Sequence, residues 1–214
     1  MKLHNVEQRS PEWYALRAGI PTASEFSSLV TGTGGRSKTL PRYAKTLAGE
    51  AFSGKTLDAW EGNAWTERGR EMEIEAIRLY EFKEDCAVSP VGFVTRDDGT
   101  AGCSPDGFVG AYGAVEVKCL KAENHIEAIM YHAKHGRCDP GYTQQPQGQI
   151  WIAERQWVDL IFYHPVLPLL VIRQLPDFAL LQAIAAAVSE VSRERDTILA
   201  TLRGMSAPVS VSAP

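Results

Sequence analysis

The sequence has few cysteines, and their spacing does not suggest a metal site. Its four cysteines are scattered over 214 residues with no Cys-x-x-Cys pair and no paired Cys/His motif. Zinc and iron–sulfur sites are built from such closely spaced ligands. The sequence therefore predicts free, buried thiols at Cys86, Cys103, Cys119 and Cys138.

Long apolar runs are absent as well. No segment approaches the roughly 18 apolar residues of a membrane-spanning helix. The opening MKLHNVEQRSPEW lacks the apolar stretch of a secretory signal. We expect a soluble, cytoplasmic protein with no membrane partner.

A surplus of positive charge is also missing. The 22 Lys and Arg are outnumbered by 26 Asp and Glu, which gives a formal net charge of -4. Proteins that hold nucleic acid through bulk positive charge have the opposite balance, so that class is excluded. Local DNA contacts assisted by metal ions remain open.

The chain does have enough apolar residues, 44% of the total, to bury a sizeable core. No internal repeat is visible. We expect one domain over residues 1–204. The remaining residues, 205–214, form a low-complexity tail of a composition typical of disordered segments.

The first 45 residues predict two short helices and a basic loop. Ser10 and Pro11 form a good start for a helix that Gly19 ends. Residues 22–25 have the spacing of a capping box before a second helix. Gly32–Lys45 is rich in glycine and basic residues, and two hypotheses stay open for it: a mobile, solvated connection or a contact with DNA.

A helix is predicted from about Ala64 to Phe82 because apolar residues recur there at helical spacing. Glu73 lies on this apolar stripe, whereas Glu71 and Glu75 fall toward the polar side. A carboxylate turned inward costs free energy unless something compensates its charge. Glu73 therefore needs a partner or a function.

The rest of the chain predicts a mixed fold. Short apolar runs after Pro90 indicate a β-meander. Two helices, two strands and a final helix follow: 123–134, a helix beginning near 144, strands 157–163 and 169–175, and a helix over 177–204. This order predicts an α/β fold with a mixed central β-sheet flanked by helices.

Acids and a base cluster in the segment Ser104–Lys118. Alternate residues of a strand share a face about 6–7 Å apart, so Glu116 and Lys118 point the same way. A solvent-exposed Glu–Lys pair, worth about 0–1 kcal/mol, is the ordinary alternative. Asp106 after a proline on the neighbouring strand end, and Glu73 turned inward, favour a shared site instead.

Crowded carboxylates repel one another unless a cation lies among them. Mg²⁺ is the usual hard cation beside phosphates, so we predict that Asp106, Glu116 and the backbone carbonyl of Val117 hold Mg²⁺, with Mn²⁺ as a substitute. In phosphodiester hydrolysis the metal polarises the phosphate and activates a water. Lys118 would orient that water and stabilise charge, with deprotonation of the water as the alternative role. Glu73 is a fourth catalytic candidate.

These residues resemble the PD-(D/E)xK nuclease signature. CSPDG followed by EVKC is similar to its form in the phage lambda exonuclease family of YqaJ-like viral recombination nucleases. Three further blocks match in order: RAGIPTASE at 17–25, RGREMEIEA at 68–76 and YTQQPQGQIWIA at 142–153. Leu120 departs from the proline that often follows the lysine in that family, and the basic loop does not align.

The resemblance implies a restriction-endonuclease-like nuclease core and a specific activity. Members digest one strand of linear double-stranded DNA processively from its 5′ end and prefer a 5′-phosphate. They work as ring-shaped homotrimers and leave a 3′ overhang for a single-strand annealing protein in recombination. We expect the same activity and partners here.

A 5′-phosphate site has a physical counterpart in the matched N-terminal block. Arg17 ends one helix, and the next opens with free backbone N–H groups and the Ser24 hydroxyl, which together form an anion cradle. Ordinary helix capping is the alternative for Thr22 and Ser24. Ser104, two residues before Asp106, is a third candidate for the phosphate.

The matched helical block contributes polar candidates. Gln145 is expected to contact the active site, with Gln147, Tyr142 and Thr22 as further contacts to DNA. A solvated surface is the alternative for the two glutamines. By contrast, Trp13, Trp65 and Trp151 are expected in the core rather than stacked on a base.

Two other functions stay open. One is a site-specific PD-(D/E)xK endonuclease, which would use the same chemistry. The other is a non-catalytic subunit that binds DNA ends. The presence of both Asp106 and Lys118 argues against this last class.

Overall fold

The computed structural model describes residues 1–57 and 64–206. Six α-helices are described: α1 Pro11–Arg17, α2 Leu40–Ser53, α3 Ala64–Glu84, α4 Ala122–His135, α5 Gln144–Ala153 and α6 Phe178–Ser206. The strands are β1 Lys2–His4, β2 Val88–Ser89, β3 Phe93–Thr95, β4 Gly102–Cys103, β5 Gly107–Val109, β6 Gly113–Cys119, β7 Trp157–Tyr163 and β8 Leu170–Gln174. Two 3₁₀ helices lie at Ala23–Ser28 and Pro140–Tyr142. None of the described helices is both long and apolar enough to cross a membrane.

A five-stranded sheet in the order β2-β5-β6-β7-β8 forms the centre of the fold. β6 and β7 run parallel, and the other neighbours run antiparallel. Ala76 of α3 packs with Val115 on one face, and Ile150 of α5 packs with Ala114 on the other. The predicted mixed central sheet flanked by helices is confirmed.

Local sequence explains the ends of several helices. The Ser10 side chain accepts from the Trp13 N–H at the start of α1, and Gly19, at a φ of 78°, takes the left-handed conformation just after its end. Asp177 caps α6 as predicted, because its Oδ1 accepts from the N–H groups of Ala179 and Leu180. These groups would otherwise be unpaired at a helix start.

The basic segment predicted as a loop through Lys45 is helical from Leu40 onward. Leu40, Tyr43, Ala44 and Leu47 are buried at helical spacing in the same core cluster as residues of α6. Pro41 lies in the first turn of α2, where its missing N–H costs nothing. The prediction was wrong here because glycine and proline were interpreted as loop signals.

The predicted β-meander after Pro90 was also wrong, because its strands are divided between two sheets. β3 and β4 pair with each other and β3 pairs with β1, in a separate three-stranded sheet. β5 and β6 form a hairpin of the central sheet. The pairing of β1 with β3 joins segments about ninety residues apart, which alternation along the chain does not reveal.

The capping box predicted at residues 22–25 is absent. Thr22 makes no side-chain capping bond, and residues 23–28 form a 3₁₀ helix. At the other end, α6 continues through Gly204 to Ser206. The side chain of Trp65 and the tail residues 207–214 lie outside what the structure describes.

Candidate active site

The β5–β6 hairpin brings Asp106 to the middle of β6. Gly107 is the first residue of β5 and pairs with Val115, so β5 offers no partner to the Val117 N–H. The Asp106 carboxylate takes that role, because its Oδ2 accepts from the Val117 N–H at 2.6 Å. A Cβ at Gly113 would collide with the Trp157 ring, so this hairpin requires glycine there.

Glu116 and Lys118 share the face of β6 that α5 covers. Lys118 Nζ donates to Glu116 Oε1 at 2.9 Å and to Gln145 Oε1 at 2.7 Å. Gln145 Nε2 in turn donates to Glu116 Oε1 at 2.6 Å. With only 7% of the Glu116 side chain exposed, the alternative of a solvent-exposed Glu–Lys pair does not describe this contact.

Sequence reasoning missed Gln149, whose Nε2 donates to Glu116 Oε2 at 2.5 Å. Gln145 and Gln149 are four residues apart on α5 and therefore lie on one face of the helix. That spacing is visible in the sequence and could have identified Gln149. The family motif instead predicts Gln145 and Gln147 as site residues.

The electrostatics of the cluster are those of crowded acids. Burial, followed by the charges of Glu116 and Glu73, raises the pKa of Asp106 well above its usual range. Burial lowers the pKa of Lys118, but the neighbouring charge and hydrogen bond of Glu116 outweigh this and raise it overall. Lys118 therefore stays an ammonium group, which favours charge stabilisation over a role as a general base.

Glu73 of α3 faces the same space as Asp106. Both residues line a cavity of about 330 Å³, and Glu73 Oε2 is 3.4 Å from Arg9 Nη2. Arg9 has a φ of 69°, an unusual conformation for a residue other than glycine. The structure thus brings Glu73 to Asp106, which also interacts electrostatically with Glu116 and Lys118. It adds Arg9 as a neighbour of Glu73 that sequence reasoning missed.

A second polar region surrounds Arg17. Its Nη2 lies 3.3 Å from both Thr22 Oγ1 and Ser24 Oγ. The guanidinium carbon is 4.1 Å from the ring centre of Trp13. Burial lowers the pKa of Arg17, and the charges of Tyr43 and Glu25 partly oppose this.

Trp13 links this region to Ser104, two residues before Asp106. Its Nε1 donates to Ser104 Oγ at 2.7 Å, while Arg17 stacks on its ring. Arg17, Thr22 and Trp13 also line a cavity of about 500 Å³. Trp13 was predicted to lie in the core, but it is only partly buried and borders this cavity.

Two further predicted DNA contacts, Gln147 and Tyr142, differ in their distance from the site. Gln147 is 3% exposed, and its amide bonds the Leu175 carbonyl at 2.7 Å and the Asp177 N–H at 2.9 Å. These hydrogen bonds of Gln147 connect α5 to the residues just before α6. Tyr142 packs edge-on against Phe162, with ring centres 5.1 Å apart. Burial raises the pKa of Tyr142, and the nearby charge of Lys118 partly opposes this, so Tyr142 lies near the lysine.

The basic segment is partly engaged by the protein itself. Arg36 Nε lies 2.8 Å from Glu190 Oε1, and its Nη2 lies 3.5 Å from Glu194 Oε1. Arg42, on α2, lines the larger cavity with Arg17. The DNA contact proposed for this segment therefore remains open for Arg42 but is disfavoured for Arg36.

The donor chemistry of the cluster fits a hard divalent cation. Asp106 and Glu116 offer carboxylate oxygens. The pKa of Asp106 is raised by burial first and then by the charges of Glu116 and Glu73, and a cation would compensate those charges. Within residues 1–57 and 64–206, no three His, Cys, Asp or Glu side chains are grouped as ligands for one ion. A cation here would need oxygen donors beyond these carboxylates, such as a backbone carbonyl, water or a phosphate.

Comparison with known protein families identifies the family of this chain. A model of the YqaJ-like viral recombinase domain matches residues 12–156. The chain belongs to the YqaJ-like viral recombinase family. The resemblance inferred from the motifs is confirmed, and so is the prediction that the protein is a deoxyribonuclease of the exonuclease type.

Solved structures of exonucleases are similar to this chain over most of its length. An alkaline exonuclease from Laribacter hongkongensis, LHK-Exo, matches with 30% identity and a TM-score of 0.80 over 94% of this chain and 100% of that one. LHK-Exo in complex with dAMP matches equally well. A phage-related exonuclease from Haemophilus somnus 129PT shares the fold, at 18% identity and a TM-score of 0.60 over 93% and 97% of the two chains. No curated protein matches in sequence.

Proposed function

We propose that this YqaJ-like nuclease is a Mg²⁺-dependent, processive 5′-to-3′ exonuclease. It would digest one strand of linear double-stranded DNA and leave a 3′ single-stranded overhang for recombination by strand annealing. The observation that carries the proposal is the contact of the partly buried Lys118 with the buried Glu116, on the strand whose Val117 N–H donates to Asp106. It lies beside a separate arginine–hydroxyl pocket that can hold a terminal phosphate.

The carboxylates of Asp106 and Glu116 would hold the metal, together with the backbone carbonyl of Val117. Mg²⁺ is proposed as the native ion, and Mn²⁺ would substitute. When bound, such an ion polarises the scissile phosphate and lowers the pKa of a coordinated water. The raised pKa of Asp106 supports this use, since the crowded acids gain from a cation among them.

Lys118 would stabilise negative charge that develops on the phosphate. Glu116 and Gln145 hold its ammonium group at 2.9 and 2.7 Å, so its position is set before substrate binds. Preorganised donors of this kind act on the transition state without the cost of reorientation. Glu73 would contribute negative charge at the cavity that it lines together with Asp106.

The pocket of Arg17, Thr22 and Ser24 would bind the 5′-phosphate, with Ser104 on the side of the carboxylates. A phosphate can replace the two 3.3 Å hydrogen bonds of Arg17 with charge-assisted ones. Anchoring the end in this way fixes which strand and which bond enter the cluster. The mononucleotide dAMP, bound in the structure of the similar LHK-Exo, is chemically the unit that such an enzyme releases.

The formal net charge of -4 makes retention by bulk attraction a poor basis for processivity. A homotrimeric ring around the duplex, which the family resemblance implies, would retain DNA topologically. A single-strand annealing protein would receive the overhang, and the location would be cytoplasmic. Residues 1–204 would form the nuclease domain, with 205–214 as an extension.

Linear duplexes labelled at each end, with and without Mg²⁺, test the proposal directly. We expect Mg²⁺-dependent loss of the 5′ label from linear DNA and no cleavage of covalently closed circles. Cutting of closed circles would favour the endonuclease alternative. Binding of ends without hydrolysis would favour the non-catalytic alternative.

A further inference from the structure

Gln149 has an unusual position for a polar residue. It is 0% exposed on α5, and its Nε2 donates to Glu116 Oε2 at 2.5 Å. Its Oε1 is buried without a hydrogen-bond partner among the described residues. Rotating the amide would place that oxygen against the carboxylate, so Glu116 fixes the orientation of this side chain. Because it is enclosed, Gln149 cannot touch DNA and can act only through Glu116.

The two oxygens of Glu116 are occupied unequally. A carboxylate oxygen accepts about two hydrogen bonds. Oε1 already accepts two, from Lys118 and Gln145, whereas Oε2 accepts one, from Gln149. Within the described part of the chain, the remaining acceptor position is therefore on the oxygen that Gln149 holds.

We propose that Gln149 is a positioning residue that sets the affinity of the site for its divalent cation. It holds Glu116 Oε2 in one orientation and leaves its second acceptor position for the metal. Partners that orient a ligating group typically contribute about 10- to 100-fold to metal affinity. This inference rests on the proposed metal-dependent function, and it goes beyond it by naming a residue that touches neither metal nor DNA.

The test compares Gln149→Met with the purified wild-type protein. Methionine keeps the length and apolar volume of the side chain but has no donor for Oε2. Mn²⁺ affinity measured by calorimetry without DNA should fall about 10- to 100-fold. Hydrolysis at limiting Mn²⁺ should fall as well and recover at excess Mn²⁺, with the KM for DNA unchanged.

Gln144→Met is the matched control, because it makes the same change on the same helix. In its preferred orientation, the Gln144 amide bonds backbone groups of Gly32 and Pro140, away from Glu116. This control should lose thermal stability and keep wild-type Mn²⁺ affinity. Gln149→Asn is the second variant should Gln149→Met fail to fold, since it retains an amide that is one methylene too short to reach Oε2.

The outcomes separate this inference from the proposed function. Wild-type protein that binds no Mn²⁺ would overturn both. Wild-type protein that binds Mn²⁺, with a folded Gln149 variant of equal affinity, would overturn the positioning role alone. A Gln149 variant that loses stability but keeps its Mn²⁺ affinity would also overturn the positioning role alone.

Discussion

The side chains of the carboxylate cluster and those of the Arg17 pocket are held differently. Glu116 accepts three hydrogen bonds of 2.5–2.9 Å from β6 and α5. Arg17 donates two bonds of 3.3 Å to hydroxyl groups beside a cavity. Short bonds fix a catalytic geometry, whereas long bonds to neutral partners are readily exchanged for phosphate oxygens. The difference separates a region built for chemistry from one built to exchange partners.

The largest effect is expected from substitutions in the carboxylate cluster. Lys118→Ala, like Asp106→Ala and Glu116→Ala, should lower single-turnover hydrolysis of a 5′-phosphorylated duplex by about 10³-fold or more, since preorganised charge is lost. The exposed Lys121→Ala is the control and should keep its activity. Near-full activity of a folded Lys118→Ala protein would remove the lysine from the chemistry.

A smaller effect is expected in the second region. Arg17→Ala should reduce the preference for 5′-phosphorylated over 5′-hydroxyl ends by about 10- to 100-fold, because a charge-assisted contact to the phosphate is lost. Its Mn²⁺ affinity should match the wild-type value. Competition between the two end types measures the preference. Equal wild-type rates on both ends would contradict the phosphate pocket.

A third measurement uses the raised pKa of Asp106. Burial and the charges of Glu116 and Glu73 place the pKa of Asp106 in the folded protein above the ordinary value of 3.8. The folded state therefore binds this proton more tightly, and its free energy of unfolding should fall as the pH rises from that value toward the raised one. The slope is at most about 1.4 kcal/mol per pH unit.

Urea unfolding in a metal chelator gives this slope. Asp106→Asn should flatten it, since the variant has no proton to lose at this position. Saturating Mg²⁺ should also flatten it in the wild-type protein, because the ion stabilises the ionised carboxylate. An unchanged slope in Asp106→Asn would mean that other groups account for the pH dependence.

The smallest effect is expected from breaking the ion pair of Arg36 in the basic segment. This change tests whether Arg36 contributes to the carboxylate cluster or to the Arg17 pocket. Glu190→Ala breaks the ion pair with Arg36, whose side chain is 48% exposed, and should cost at most about 1 kcal/mol of stability because water screens the pair. Thermal unfolding measures the loss. Hydrolysis and the choice of DNA end should not change, and a change in either would connect Arg36 to the active site.

Much of the fold could be predicted from local pattern. The alternation in β6, the capping of α6 by Asp177 and the apolar stripe of α3 each have a short-range cause. β1 could not be predicted in this way, since a three-residue strand depends on its distant partner β3. α2 was obscured by glycine and proline near its start.

The candidate site shows the same division. Asp106, Glu116 and Lys118 stand out because strand geometry brings acids and a base to one surface. Trp13 and Arg9 did not stand out, since their contacts to Ser104 and Glu73 cross 91 and 64 residues of the chain. Side chains that support a site through long-range contacts carry no spacing signal of their own.

The sequence alone determined the chemistry: two acids and a lysine at strand spacing, and an arginine followed by hydroxyl residues at a turn. Periodicity and motif spacing are properties of neighbouring residues, so they can be interpreted without coordinates. Only the tertiary structure decided that α5 covers Glu116 with Gln145 and Gln149, and that Trp13 contacts both Arg17 and Ser104. Those contacts depend on how separate elements pack, because burial and hydrogen bonding across the fold select the partners.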